Sequence, residues 1–164
     1  MKNQKGITLV ALTITIIVMI IIASITTYAG SGLIKQAKLQ DLVTNMLLMQ
    51  VKAKEGAEEA KFQKVKDLEE AAAQFIIIGT KVAGSGISEL EEKVSQILGT
   101  TENCYYFTQE DLQSMGLKDL TVSDYGYFVA VYDIDNIKAE IINTKGYNGK
   151  YKLEDLKALQ EEQE

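Results

Sequence analysis

The sequence predicts an α+β fold, with a long N-terminal helix, transmembrane in its first part, leading into a small antiparallel β-sheet head with helical insertions. Three observations carry this. Residues 7–29 (ITLVALTITIIVMIIIASITTYA) form a run of 23 residues without a charge. A helix of that length, at about 1.5 Å per residue, spans roughly 35 Å and crosses a hydrocarbon core of about 30 Å with some tilt. Beyond it, Leu39, Leu42, Val43, Met46, Leu47 and Val51 recur at three- and four-residue spacing, the period of one helix face. Further on, residues 125–132 (YGYFVAVY) and 137–143 (IKAEIIN) are β-rich runs separated by Asp133-Ile134-Asp135-Asn136, the pattern of an antiparallel hairpin. No internal repeat is present.

The N-terminal elements follow from charge. Lys2 and Lys5 flank the apolar run on its N-terminal side, so the positive-inside bias places residues 1–6 in the cytoplasm and everything after residue 29 outside. The run is too long for the apolar stretch of an ordinary secretory signal, about 7–15 residues, although Thr27-Tyr28-Ala29 mimics the end of one. Gly30-Ser31-Gly32 then predicts a break, since glycine is the residue with most backbone freedom to lose in a helix.

The junction itself is more specific. A short basic leader, MKNQKG, ends in glycine, and the apolar run opens G-I-T-L-x-A-L-x-I-T-I-I-V from Gly6 onward. This resembles the type IV prepilins, and in its Ile-first form the pilin-like proteins of low-GC Gram-positive bacteria. The resemblance covers Gly6 to Ala29. It implies a leader (1–6) removed by a prepilin peptidase between Gly6 and Ile7, N-methylation of Ile7, and a transmembrane and assembly helix (7–29) in which Thr8, Leu9, Ala11, Ala23 and Ser24 face lipid and then neighbouring subunits. One position departs from the family: Ala11 stands where most pilins carry a glutamate that compensates a neighbour's terminal amine. An unpartnered amine in an apolar surrounding costs several kcal/mol or is driven neutral. The departure points to a minor or specialised subunit.

Downstream, residues 33–78 read as an extended helical stalk. Its apolar stripe, including the Met46 and Met49 pair, packs against the protein's own head, and Lys38, Asp41, Asn45 and Lys52 lie opposite. Residues 52–75 are charged and Ala-rich, with Phe62, Val65, Leu68, Ala72 and Phe75 on a second stripe and a possible interruption at Gly56. Residues 79–164 form the head. Ser88 with Glu91 predicts a capped helix stopped at Gly99, and Thr108 with Asp111 a shorter one stopped before Gly116. The hairpin strand around Phe128 and Val129 is apolar on both faces. Tyr105-Tyr106-Phe107 offers a third strand, and residues 151–162 return to helix. The stretch from Tyr105 to Leu156 also resembles the heads attached to those Gram-positive leaders.

Composition narrows the chemistry. All 17 basic residues are Lys, and the chain has no Arg, His, Pro or Trp. Histidine-based triads, imidazole metal sites and bidentate guanidinium clamps are therefore excluded. After residue 29, 15 Lys face 23 Asp and Glu, a net charge of −8 that repels phosphate backbones, so nucleic acid is not an expected partner. Gly84-Ser85-Gly86 completes no phosphate-loop pattern and reads as a linker. The single Cys104 forms no intramolecular disulfide and reads as a small buried hydrophobe. Asp133, Asp135 and Asn136 are the one calcium candidate. They miss the EF-hand pattern at Ile137 and Lys138, so a hairpin turn is the expectation and no metal or other cofactor is assigned. Residues 145–152 mix Lys with Tyr, a composition able to touch a nucleic acid or a glycan.

The expectation is thus a structural subunit without catalytic activity. It is anchored in the cytoplasmic membrane with its head outside, reaches the cell surface if assembled into a filament, and has the prepilin peptidase, other pilin or pseudopilin subunits and the membrane as partners. The alternative is a single-pass anchored binding or adhesion module that never polymerises.

Overall fold

The computed structural model describes residues 4–162, and between 4 and 31 it describes backbone alone, Ile16 and Met19 excepted. The chain divides into two compact units, Met1–Lys38 and Leu39–Glu164. Helix α1 (Gln4–Phe62) supplies the first unit and opens the second. It runs unbroken through Gly30-Ser31-Gly32, against the expected break. Each glycine costs about 1 kcal/mol relative to Ala in a helix interior. Unlike proline, it keeps its N–H and clashes with no preceding carbonyl, so cooperative propagation carries the helix across.

In the second unit, the buried stripe of α1 is Leu39, Leu42, Val43, Met46, Met49, Ala53, Ala57 and Ala60. Val51, expected in the stripe, is 54% exposed. The seam follows the 3.6-residue period through Met49 and Gln50 to Ala53, and Val51 falls beside it. The Gln50 amide donates to the carbonyl of Ala139 at 3.0 Å. Gly56 does not interrupt the helix; a Cβ there would lie 2.8 Å from the carbonyl oxygen of Ile76, so its role is close approach.

The helical stalk does not reach residue 78. α1 stops at Phe62, where Lys64 turns left-handed (φ 54°) and the Val65 N–H returns to the Ala60 carbonyl at 3.0 Å. A short helix α2 (Leu68–Ala73) follows, capped by the Asp67 side chain on the Glu70 N–H. This reversal separates the residues of the expected second stripe. Leu68 and Ala72 pack on the core, while Phe62 and Phe75 are exposed.

The sheet has five antiparallel strands in sequential order, β1 (Thr80–Lys81), β2 (Cys104–Tyr106), β3 (Phe128–Asp133), β4 (Lys138–Tyr147) and β5 (Lys150–Lys152). In the expected hairpin, Ala130 stands opposite Ile141 and Val129 opposite Ile142. Tyr125 is not part of it: it closes a short helix α5 (Val122–Tyr125), capped by the Thr121 hydroxyl and ended at Gly126. β1 and β5, short and polar, carried no strand pattern in the sequence.

β3 is covered on both faces, as its composition requires. Phe128, Ala130 and Tyr132 join the α1 stripe in one core, together with Leu112 of α4 (Gln109–Ser114) and Leu153 and Leu156 of α6 (Leu153–Glu161). On the other face, Val129 and Ile142 meet Cys104 and Leu90 and Val94 of α3 (Ser88–Leu98). α4 starts with the expected capping box of Thr108 and Asp111. α3 does not start with the expected one: Ile87 is its N-cap, and Ser85 rather than Ser88 reaches Glu91, at 3.3 Å, and accepts from the Ile87 N–H. Gly84 and Gly86, both left-handed, curl the loop so that Ser85 arrives first.

Candidate functional site

The residues assigned to processing and assembly, Gly6, Ile7, Thr8, Leu9, Ala11, Ala23 and Ser24, all lie on the helical backbone of α1. Their side chains lie outside the described residues. The large apolar side chains that are described in the first unit, Ile16, Met19, Leu33 and Ile34, are each at least 50% exposed. Among the described residues no helix is long and apolar enough to cross a membrane, and the side chains of the expected span 7–29 fall outside them except for Ile16 and Met19.

The calcium candidate is a hairpin turn. Both carboxylate oxygens of Asp133 are engaged by Asn136, its backbone N–H at 3.1 Å and its side-chain amide at 2.7 Å. These donors hold the Asp133 carboxyl below the usual range. The ammonium of Lys61 donates to the Asp135 carbonyl at 2.6 Å, so the cation at this loop is a lysine from the end of α1. Among the described residues no group of three or more acidic or thiol side chains is placed to hold a metal ion.

Cys104 is buried in the α3-side core, with its sulfur 3.3 Å from the Glu102 carbonyl. Burial pushes the thiol up to about 11, which leaves it protonated and unreactive at neutral pH.

Residues 145–152 form the β4–β5 hairpin, turned at Asn148-Gly149, both left-handed. Its base rests on Asn143, the one buried polar side chain among the described residues. The Asn143 amide donates to the carbonyls of Tyr125 and Tyr127 at 2.8 and 3.4 Å, and its oxygen accepts from the N–H groups of Lys145 and Gly146 at 3.2 and 2.7 Å. The Lys93 ammonium lies 4.6 Å above the Tyr151 ring, and Lys152 pairs with Glu140 at 3.3 Å.

At the other edge of the sheet, beside β1, an open groove of about 660 Å³ is lined by Phe75, Ile78, Tyr105, Glu69 and Glu110. Lys81 is ion-paired with Glu69, whose hydrogen bond raises the Lys81 pKa. The sequence does not disclose this groove, because its spacing puts Phe75 on the second helical stripe with Phe62, Val65, Leu68 and Ala72. The signal that could have found it is the break in helical pattern that Gln63 and Lys64 introduce between Phe62 and Leu68.

Comparison with family models, with curated proteins and with solved structures finds no match to this chain.

Proposed function

We propose that the chain is an exported, membrane-anchored type IV pilin-like or pseudopilin subunit. It is cut by a prepilin peptidase between Gly6 and Ile7, and assembled into, or primed on, a surface filament or a secretion or uptake pseudopilus. The observation that carries this reading is the division of labour along α1. From Leu39 to Ala60 the helix buries its stripe in its own head, whereas the described apolar side chains before Lys38 are exposed and must find lipid or another chain. The glycine-terminated basic leader supplies the processing signal, and the α+β head behind a long helix fits the same plan. Its action is mechanical: the apolar helix waits in the cytoplasmic membrane, then exchanges lipid for neighbouring helices while the head stays outside.

Ala11 favours a second reading, a processed anchored binding module that stays single, because no carboxylate is on offer there to a neighbour's amine. Mass spectrometry of the exported protein tests the first reading. It should find a terminus at N-methyl-Ile7, and Gly6→Val should leave the full precursor in the membrane. A mature start at Gly30 would overturn the proposal.

A further inference from the structure

Phe75 occupies the position after the C-cap of α2, where the backbone is left-handed (φ 57°). Glycine or asparagine ordinarily stands there, because a bulky side chain is disfavoured at positive φ. The ring is 92% exposed, so it adds nothing to the core of the head. A residue that strains the backbone and exposes an aromatic ring, with no packing in return, marks a surface shaped by something outside the fold.

The surroundings say what that is. Phe75 borders the groove beside β1 with Ile78 and Tyr105, and Glu110, exposed and in no ion pair among the described residues, gives the groove an acidic side. The unit Leu39–Glu164 holds 13 Lys against 23 Asp and Glu, so two such heads repel over most of their surface. Two segments are exceptions: residues 61–66, with Lys61, Lys64 and Lys66 beside α2 on the groove's own side, and the β4–β5 hairpin at the opposite edge of the sheet, where a second copy can offer it to the groove. Residues 145–152 contain Lys145, Lys150 and Lys152 and no acid, and the left-handed Asn148-Gly149 turn leaves Lys150 exposed.

We propose that the β4–β5 hairpin of one copy of this chain docks in the β1-edge groove of the next, with Lys150 meeting Glu110 beside the ring of Phe75. An ammonium between a carboxylate and an aromatic face gains from both. Because the two surfaces differ and lie at opposite edges of one sheet, each copy offers both. The contact therefore does not pair off and adds copies in line. This inference rests on the reading of the chain as an assembling subunit. It gives the heads a contact between like copies that does not need the carboxylate missing at Ala11, and so departs from the minor-subunit expectation drawn from that residue.

The test is disulfide trapping of the full-length chain in its own membrane. Thr80→Cys and Asn148→Cys, both at exposed positions, are placed in one chain; the native Cys104 is buried and contributes no background. Mild oxidation should give a ladder of dimers, trimers and larger species, and neither substitution alone should give one. Glu110→Lys or Lys150→Glu should each lower the ladder about tenfold, as loss of a central interface pair does, and the two together should restore it. Phe75→Ser should lower it without unfolding the head, since the ring packs on nothing. A chain that carries N-methyl-Ile7 yet gives no ladder, or a ladder indifferent to charge reversal, overturns the contact and leaves the subunit reading standing. A dimer from Thr80→Cys alone overturns it in favour of a symmetric contact. An unprocessed chain without a ladder overturns both.

Discussion

Gly56, less than two turns before the end of α1, and the carbonyl of Ile76 approach so closely that a Cβ on the glycine would sit 2.8 Å from that oxygen. The contact lets the segment after α2 lie flat on the helix and bury Ile77 against the core. Gly56→Ala sets two effects in opposition. Helix propensity gains about 1 kcal/mol, and overpacking against a backbone atom loses about 1–3. The backbone oxygen has no rotamer by which to retreat, so the substitution should destabilise the head by about 1 kcal/mol, read as a lower midpoint in thermal unfolding. An unchanged or higher midpoint would show that the segment gives way.

Asn143→Ala should be the most damaging polar substitution in the head. It leaves the N–H groups of Lys145 and Gly146 without the oxygen they share and frees the Tyr125 carbonyl, while the Tyr127 carbonyl keeps the Thr144 N–H at 2.9 Å. Each buried group left unpaired costs about 1–3 kcal/mol, so a loss of roughly 2–4 is expected from denaturant unfolding. Amide exchange should quicken at Lys145 and Gly146 before it does so elsewhere in β4.

Phe75→Asn should move stability the other way. Asparagine tolerates the left-handed backbone better than phenylalanine, and no packing is lost, so a gain of about 0.5–1 kcal/mol is expected. A fall in the unfolding midpoint would mean that the ring is packed in solution.

The alkaline limb of stability should depend on Cys104. Burial raises its thiol from an ordinary 9.0 to about 11, so the folded state holds a proton that the unfolded state releases. The resulting stabilisation is fully present below pH 9 and lost as pH rises through about 11. Cys104→Ala should flatten the decline across that window. Tyr132, raised by its own burial, keeps its share in the variant. Alkylation of the native chain at pH 8 should be slow until denaturant is added.

Replacing residues 7–29 by a plain leucine span behind the same leader separates the two functional readings. Small and β-branched residues let helices approach where leucine holds them apart. The replacement should preserve membrane insertion and abolish recovery in sheared, pelletable surface material. A native chain that never enters that fraction, with the replacement changing nothing, would favour the anchored module.

What the sequence disclosed was local or periodic. Thr108 and Asp111 are three residues apart and cap α4 with no help from the rest of the molecule. The β-rich runs around Val129 and Ile141 pair because their side chains fit a pleated, doubly covered sheet. What stayed hidden needed a partner from elsewhere. Ala53, Ala57 and Ala60 line the seam of α1, but alanine is too small to mark a stripe. Gly56 looked like an interruption until Ile76 was in place. Ser85 displaced Ser88 through glycine-permitted loop geometry, and Phe75 was misplaced because the turn at Lys64 breaks the helical count. For the candidate processing site, the signal is the glycine-terminated leader and the charge-free run behind it, a pattern in sequence alone.

Gln50 on α1 donates to Ala139, Asp41 accepts from the hydroxyl of Tyr125, and the core of Leu39 and Met46 also holds Leu153 and Leu156. The first buried residues of the head thus wait for the last. A chain emerging from its N-terminal end cannot finish this core until α6 is out, and contacts at such separation form slowly because a long loop must close first. On the export proposed above, a head whose core closes last on α6 would complete its packing only after its C-terminal helix has crossed. The order of residues along the chain therefore sets when the core of the head can close.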